Sequence, residues 1–437
     1  MGIDRVRIGF GRADITPKLG TQLAGYGDRD RPAEEILDPL HATAMVLEQA
    51  GVKAAVINLD WCFVCETITE RIRAAVSART GIPPLHVNVC TTHTHSAPCT
   101  RTTAPWGRGD SDGLAYIDAV LPAIVEAITQ ADAGLREAQV GFAATESLVG
   151  VNRRGVDEEG RVGFSASPHD PFDPTMTVAY FRDKKGADLG ILVHYGAHNT
   201  AMGNTRQVTR DWCGVMKDRI ESQYHAPVLY LNGAEGDVGP RTNYRCGDGL
   251  SAGAGDGLHA VREVGYRAAT DAIRALLSIK EWRTELRLGV HAEEILLPYA
   301  PLVPLEEAQA AMARLEGRQD AEYQHYRAIV EAWAKPPVEG LRFRQTAITL
   351  GPLAIVPLPG EIFATISLRV RRGSPFPHTL LCSNSNGTHA YLTTREARGR
   401  GGYEIEVRKR FGAYVFADGI DDALVAACLK TLRSCRV

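Results

Sequence analysis

Two histidines separated by one residue open the chemical reading of this chain. In Thr92-His93-Thr94-His95-Ser96 they follow the β-branched run 85–91, which reads as a strand. Reactive groups in α/β sheets collect beyond the carboxyl ends of strands. On an extended turn, histidines at i and i+2 can both reach one centre, or one can hold a metal while the other acts from beside it. A structural histidine usually comes singly. A second pair, His194 and His198, lies in HYGAHNTAMGN after the apolar Ile191-Leu192-Val193. Gly196 and the preceding β pattern argue against an i, i+4 metal pair on a helix. His198 is therefore the functional candidate, and His194 reads as a strand residue with a satisfied hydrogen bond. The apolar strand ending at Leu231 then empties into Asn232-Gly233-Ala234-Glu235-Gly236-Asp237, a loop whose glycines would let backbone approach a ligand. A plain turn is the competing reading. Finally, Pro357-Leu358-Pro359-Gly360-Glu361 places a carboxylate in the first turn of an expected helix, as a dipole-favoured charge or as a ligand. Catalytic zinc takes about three N/O side chains and keeps one position open for water, whose pKa it lowers to about 7. Two imidazoles and a carboxylate at strand ends would suit it, although residues 93, 198 and 361 form no local motif.

These residues need elements to carry them. Residues 5–11 and 41–48 read as strands, and 53–60 is a nearly continuous apolar run ending in Asp60, as in a strand buried on both faces. Ile68, Ile72 and Val76 give 66–80 a helical period, and 115–131 and 212–223 also read as helices. Strand-like runs recur at 138–145, 176–182, 190–195 and 227–232, around a turn-rich excursion at 150–175. Residues 303–334 carry Leu305, Ala308, Met312 and Leu315 at helical spacing between Pro304 and Pro336, predicting one long or two short exterior helices. Strand patterns return at 344–350 and 353–359, followed by a helix at 361–372 and a strand at 379–383. The expectation is an α/β fold, a layered domain with a mixed β-sheet flanked by helices. It would form one unit over 1–437 with a helical insertion at about 303–335.

Composition narrows the classes. At 437 residues and 44% hydrophobic, the chain can bury a sizeable core. A formal net charge of −3 argues against a nucleic-acid binder. The opening MGIDRVRIGFGRADITP lacks the apolar core of a secretion signal, and no membrane span is expected. Nine scattered cysteines do not make a disulfide framework, and the lone CxxC of Cys62 and Cys65 is a weak pointer to zinc or redox chemistry. Reduced thiols in a cytoplasmic setting are expected.

Seven segments, in order, resemble the catalytic domain of the neutral (non-lysosomal) ceramidase family. They are GFGRADITP (9–17), THTHSAP (92–98), Val151-Asn152-Arg153-Arg154, His198 to Gly203, GAEGDVGP (233–240), Pro359-Gly360-Glu361, and YLTTRE…YE (391–404). The resemblance implies a zinc amidase that splits an N-acyl bond, with His93, His198 and Glu361 as ligands of Zn2+. It implies a proton-transfer role for His95, and substrate contact through Arg153 with Asn152. Where the family has a catalytic serine after Gly-Asp-Val, this chain has Gly239. The family's tyrosine ligand falls by count on Arg398, flanked by Tyr391 and Tyr403. Arg398 then becomes a candidate for holding a carboxylate-bearing substrate, and Tyr403 a candidate replacement from a shifted loop. Family members with an added β-sandwich and an export signal are longer, so a short bacterial relative is the nearer likeness. The expected function is zinc-dependent hydrolysis of an amide in a small soluble substrate, water being activated by the metal. A metal-dependent esterase or lactonase, or an impaired ceramidase-like binding protein, are the alternatives. Homo-oligomerisation stays open.

Overall fold

The computed structural model describes residues 5–27, 29–100, 111–243, 257–315, 317–318 and 320–435. Its main sheet has eight strands, ordered Val228–Asn232, Asp188–Tyr195, Thr175–Asp183, Arg136–Glu146, Arg7–Asp14, His41–Gln49, Val52–Leu59, Val87–Thr91. The centre is antiparallel, while each edge ends in a parallel pair, Asp188–Tyr195 with Val228–Asn232 and Val52–Leu59 with Val87–Thr91. A second, four-stranded sheet (Leu288–Pro298, Gly340–Leu350, Leu353–Pro357, His378–Cys382) contains another parallel pair, its last two strands. Mixed sheets and flanking helices make this an α/β fold.

The strands on both edges of the main sheet are buried along their whole length, which is why they read as apolar runs. Leu229 and Leu231 from one edge share a core with Val56 and Cys90 from the other, and with Ile348, Ile355 and Leu380 of the second sheet. The main sheet therefore curls until its edges approach, and the second sheet closes over that inner face. Outside, helices Glu66–Thr80 and Ser111–Ala133 cover one half of the main sheet. Asp211–Tyr224 and Leu258–Leu277 cover the other half. Helices Ala364–Gly373 and Ile420–Ser434 cover the second sheet.

The helix 113–133 is long and apolar enough to cross a membrane by length and composition, but Ile117, Ile124, Ala127, Ile128 and Ala131 lie in the core against the sheet. The segment with Leu305 and Met312 forms two helices, Leu305–Arg314 and Ala321–Trp333. One expectation is corrected. Glu361 belongs to the two-residue strand Glu361–Ile362, paired in parallel with Tyr391–Leu392, and the helix begins only at Ala364. Helices Leu258–Leu277 and Ile420–Ser434 and strand Leu288–Pro298 were not foreseen. The strand alternates buried and exposed positions only weakly, its face being half covered.

Candidate functional site

The three parallel pairs aim their carboxyl ends at one place. Val87–Thr91 delivers Thr92 and His93; Asp188–Tyr195 delivers His198; Val228–Asn232 delivers Glu235. From the second sheet, Leu353–Pro357 leads to Glu361 and His378–Cys382 to Asn384. Hydrogen bonds weld these ends together. Asn199 and Asn232 both donate to the Thr92 carbonyl, and the Ser383 N–H donates to the Asn232 carbonyl at 3.0 Å. The backbone of His93 has φ 63°, a left-handed turn rare outside glycine and asparagine, which carries the ring out of the strand direction.

Both imidazoles are oriented from behind. His93 Nδ1 donates to the Cys62 carbonyl at 2.8 Å, and His198 Nδ1 to the Glu235 carbonyl at 2.7 Å. A carbonyl only accepts, so these bonds fix the tautomer and leave the Nε2 lone pairs facing forward. His198 Nε2 lies 3.1 Å and His93 Nε2 3.5 Å from Glu361 Oε2. One ligand atom from each residue falls within 4.8 Å of the others, all three residues being buried. Yet among the described residues neither His198 Nε2 nor Glu361 Oε2 has a hydrogen-bond partner. Lone pairs facing a buried carboxylate without a proton between them repel, and a divalent cation resolves that repulsion. The donor set, two imidazole nitrogens and one carboxylate oxygen, fits catalytic zinc, and its backing by carbonyls fits too. Without a cation the charges shift to compensate. Burial pulls His93 down, but Cys62 and Glu361 outweigh it and hold the ring well above the usual histidine range. Burial likewise pushes Glu361 up, and His93 and His198 outweigh it, holding the carboxyl well below its ordinary value. His198 falls to about 4 through burial and the Arg153 charge.

His95 stands beside this trio. Its Nε2 is 3.2 Å from His93 Nε2, and its Nδ1 has no partner among the described residues. Burial, then the charges of His93 and His198, hold it well below the usual histidine range. Gly25, at φ 94°, presses on the ring so closely that a Cβ there would sit 2.3 Å from His95 Cγ.

The other expected residues divide. Arg153 is buried and engaged. Its Nε donates to Glu404 at 3.1 Å, and its Nη2 to the Gly236 carbonyl at 3.0 Å and the Tyr391 hydroxyl at 3.1 Å. Asn152 turns toward the Pro171 carbonyl and Asp237, bracing the acidic loop. Tyr403 packs on Phe164 and Tyr391, with ring centroids 4.9 and 6.1 Å away. Arg398 is held by the Thr393 carbonyl and by Asp418 and Asp421. These two carboxylates neutralise it, which corrects the expectation of a substrate-holding arginine there. The phenol beside the trio is Tyr391, whose strand sets it opposite Glu361 in register. His194, as a strand residue, donates to the Leu381 carbonyl at 2.8 Å.

Sequence reading passed over Asn384, whose Nδ2 donates to Glu235 Oε1 at 2.9 Å and lies 3.2 Å from His93 Nδ1. The polar run Ser383-Asn384-Ser385-Asn386 past a strand end was the available signal. Burial pushes Glu235 up to about 8 and Asp237 up to about 7, so Glu235 is carried as the neutral acid at pH 7. Gly239 sits in the short strand Val238–Pro240, paired with Gly150–Asn152, and supplies no hydroxyl.

The sequence model of neutral/alkaline non-lysosomal ceramidase, N-terminal, matches residues 6–250. The chain belongs to this family. Within this ceramidase family, it is 27% identical to neutral ceramidase 2 of Arabidopsis thaliana over 218 residues, 46% of this chain and 28% of that protein. The neutral ceramidase of Oryza sativa subsp. japonica is 24% identical over 224 residues, 46% of this chain and 27% of that one. The matched stretch therefore spans less than a third of either relative. The crystal structure of neutral ceramidase from Pseudomonas aeruginosa shares the fold at a TM-score of 0.75 and 20% identity, covering 98% of this chain and 74% of that one. A ceramidase complexed with C2 does so at 0.76 and 18%, covering 99% and 75%.

Proposed function

We propose that this chain is a zinc-dependent hydrolase that cleaves the amide (N-acyl) bond of a small soluble substrate. One observation supports the proposal above all: His93 Nε2, His198 Nε2 and Glu361 Oε2, from three separate strand ends, converge, and the last two have no hydrogen-bond partner among the described residues. Membership of the ceramidase family supports amide over ester as the bond cleaved. These three residues would hold the ion, with Tyr391 opposite Glu361 in register. When bound, the ion supplies Lewis acidity and brings the pKa of water to about 7.

The chain's own groups do the rest. His95, neutral at pH 7, accepts a proton at Nε2 from the attacking water and returns it to the leaving nitrogen. Arg153 holds the Tyr391 hydroxyl and the Gly236 carbonyl, fixing the phenol and the acidic loop relative to Glu361. Gly239 leaves no serine hydroxyl on that strand, so water is the nucleophile.

Metal analysis with a matched panel of amides and esters tests this. Purified protein should hold about one equivalent of zinc, and His93→Ala should retain under about a tenth and lose activity, since removing a ligand opens the closed donor set. Full zinc and full activity in His93→Ala would refute the assignment. Faster turnover of the ester than of its matched amide, beyond the intrinsic difference, would transfer the activity to the esterase class.

A further inference from the structure

Arg408 follows the short helix Tyr403–Glu406 and is 8% exposed. Among the described residues its Nε and Nη1 have no hydrogen-bond partner. The neighbouring arginines are matched: Arg153 and Arg154 by Glu404, Arg398 by Asp418 and Asp421, Arg400 by Asp170. Burial, reinforced by the Arg398 charge, pushes the Arg408 guanidinium down to about 10, which leaves it charged at neutral pH. Asp418 and Glu406 offset that burial only in part, and a buried guanidinium with unpaired donors among the described residues would gain from a bound anion.

The space for one is adjacent. Arg408 borders a cavity of about 100 Å³ whose walls include Tyr299, His389, Tyr414 and Phe416. At about 30 Å³ per water, this admits a carboxylate or a phosphate. Tyr299 and Tyr414 stack at 5.1 Å, a flat apolar wall suited to the carbon next to such a group. The cavity also touches Ala390, whose carbonyl accepts from the Glu361 N–H at 3.0 Å and whose next residue is Tyr391. The pocket is thus separated from the candidate metal ligand by one strand pairing.

We propose that this cavity is a subsite for an acidic group, carboxylate or phosphate, gripped by the guanidinium fork of Arg408. Its position beside Tyr391 makes the substrate the source of that group. This part rests on the hydrolase reading, whereas the anion subsite does not.

Two measurements on the full chain test it, using wild type, Arg408→Met and Arg408→Lys. In thermal unfolding, inorganic phosphate or acetate at tens of millimolar should raise the wild-type Tm by roughly 2–4 °C over sodium chloride of equal ionic strength. Arg408→Met should show no such rise, Arg408→Lys a smaller one, and Arg408→Met should melt no lower than wild type without anion. In hydrolysis, an N-acyl amino acid should exceed its neutral methyl ester at least about tenfold in kcat/KM, and Arg408→Met should bring that ratio near one. An Arg408-dependent Tm rise without substrate preference supports the subsite and assigns it to a free anion. A chain that hydrolyses no amide but shows the Tm rise refutes the hydrolase reading and keeps the subsite. No Arg408-dependent rise, or an Arg408→Met protein that melts far below wild type with or without anion, overturns the proposal.

Discussion

His95 Nε2 lies 3.2 Å from His93 Nε2 while its other nitrogen has no partner among the described residues, so the ring is placed to exchange protons without holding structure together. Replacing it by glutamine should leave zinc content unchanged and lower kcat by roughly 10²–10⁴-fold, the range for losing one general acid–base group. Loss of zinc from His95→Gln would instead put His95 among the ligands. At this scale the HxH motif was legible because both rings share one turn. The choice between its two members was not, since it depends on the Cys62 carbonyl, 31 residues away, that orients His93. Arg398 and Arg408 make the same point. They are equal in sequence, but Asp418 and Asp421 pair directly with one, while Nε and Nη1 of the other make no hydrogen bond among the described residues.

Among elements, the Arg7–Asp14 strand and the Ser111–Ala133 helix make a close contact. It depends on glycine: a Cβ at Gly9 would meet the Ala131 carbonyl oxygen at 2.0 Å, and one at Gly11 the Ala127 carbonyl oxygen at 2.1 Å. Backbone atoms cannot move aside as side-chain tips do. Gly11→Val should therefore destabilise the protein by about 1–3 kcal/mol, read from the guanidinium midpoint at an unchanged slope. A midpoint equal to wild type would mean the helix can shift outward freely. The strands most legible in sequence, 53–60 and 227–232, are those buried on both faces. Residues 361–362 and 391–392 were illegible as strands, because two residues carry no period.

Across the whole molecule, one buried ion pair ties the two halves of the main sheet. Lys217, on the helix over one half, donates at 2.7 Å to Asp60, at the end of a strand in the other, and both are 1% exposed or less. Burial pushes Asp60 up, but Lys217 and Arg210 outweigh it and hold the carboxyl below its ordinary value. Lys217→Met should cost about 3–5 kcal/mol by stranding Asp60, and adding Asp60→Asn should recover much of that loss, as measured by denaturant unfolding of both variants. A double variant no better than the single would assign the cost to packing. Buried His194 falls to about 4 through burial. The unfolded chain takes up that proton near pH 6.5 and the folded chain does not, so stability declines as pH drops from about 6.5 to 4. His194→Gln, keeping a donor for the Leu381 carbonyl, should remove on the order of 2–3 kcal/mol of that decline. An unaltered acid profile would show the ring protonates in the fold.

The sequence alone determined where strands stop and polar chemistry begins, because burial on both faces and its sudden end are written in local residue order. It therefore exposed His93, His198 and the loops holding Glu235 and Glu361. Tertiary structure decided which ends meet. Parallel pairing points carboxyl ends the same way, and the curled sheet with its four-stranded cover brings three such pairs together. Which arginine is paired directly with carboxylates, and which tyrosine stands by Glu361, were settled the same way, since both depend on partners that only packing supplies.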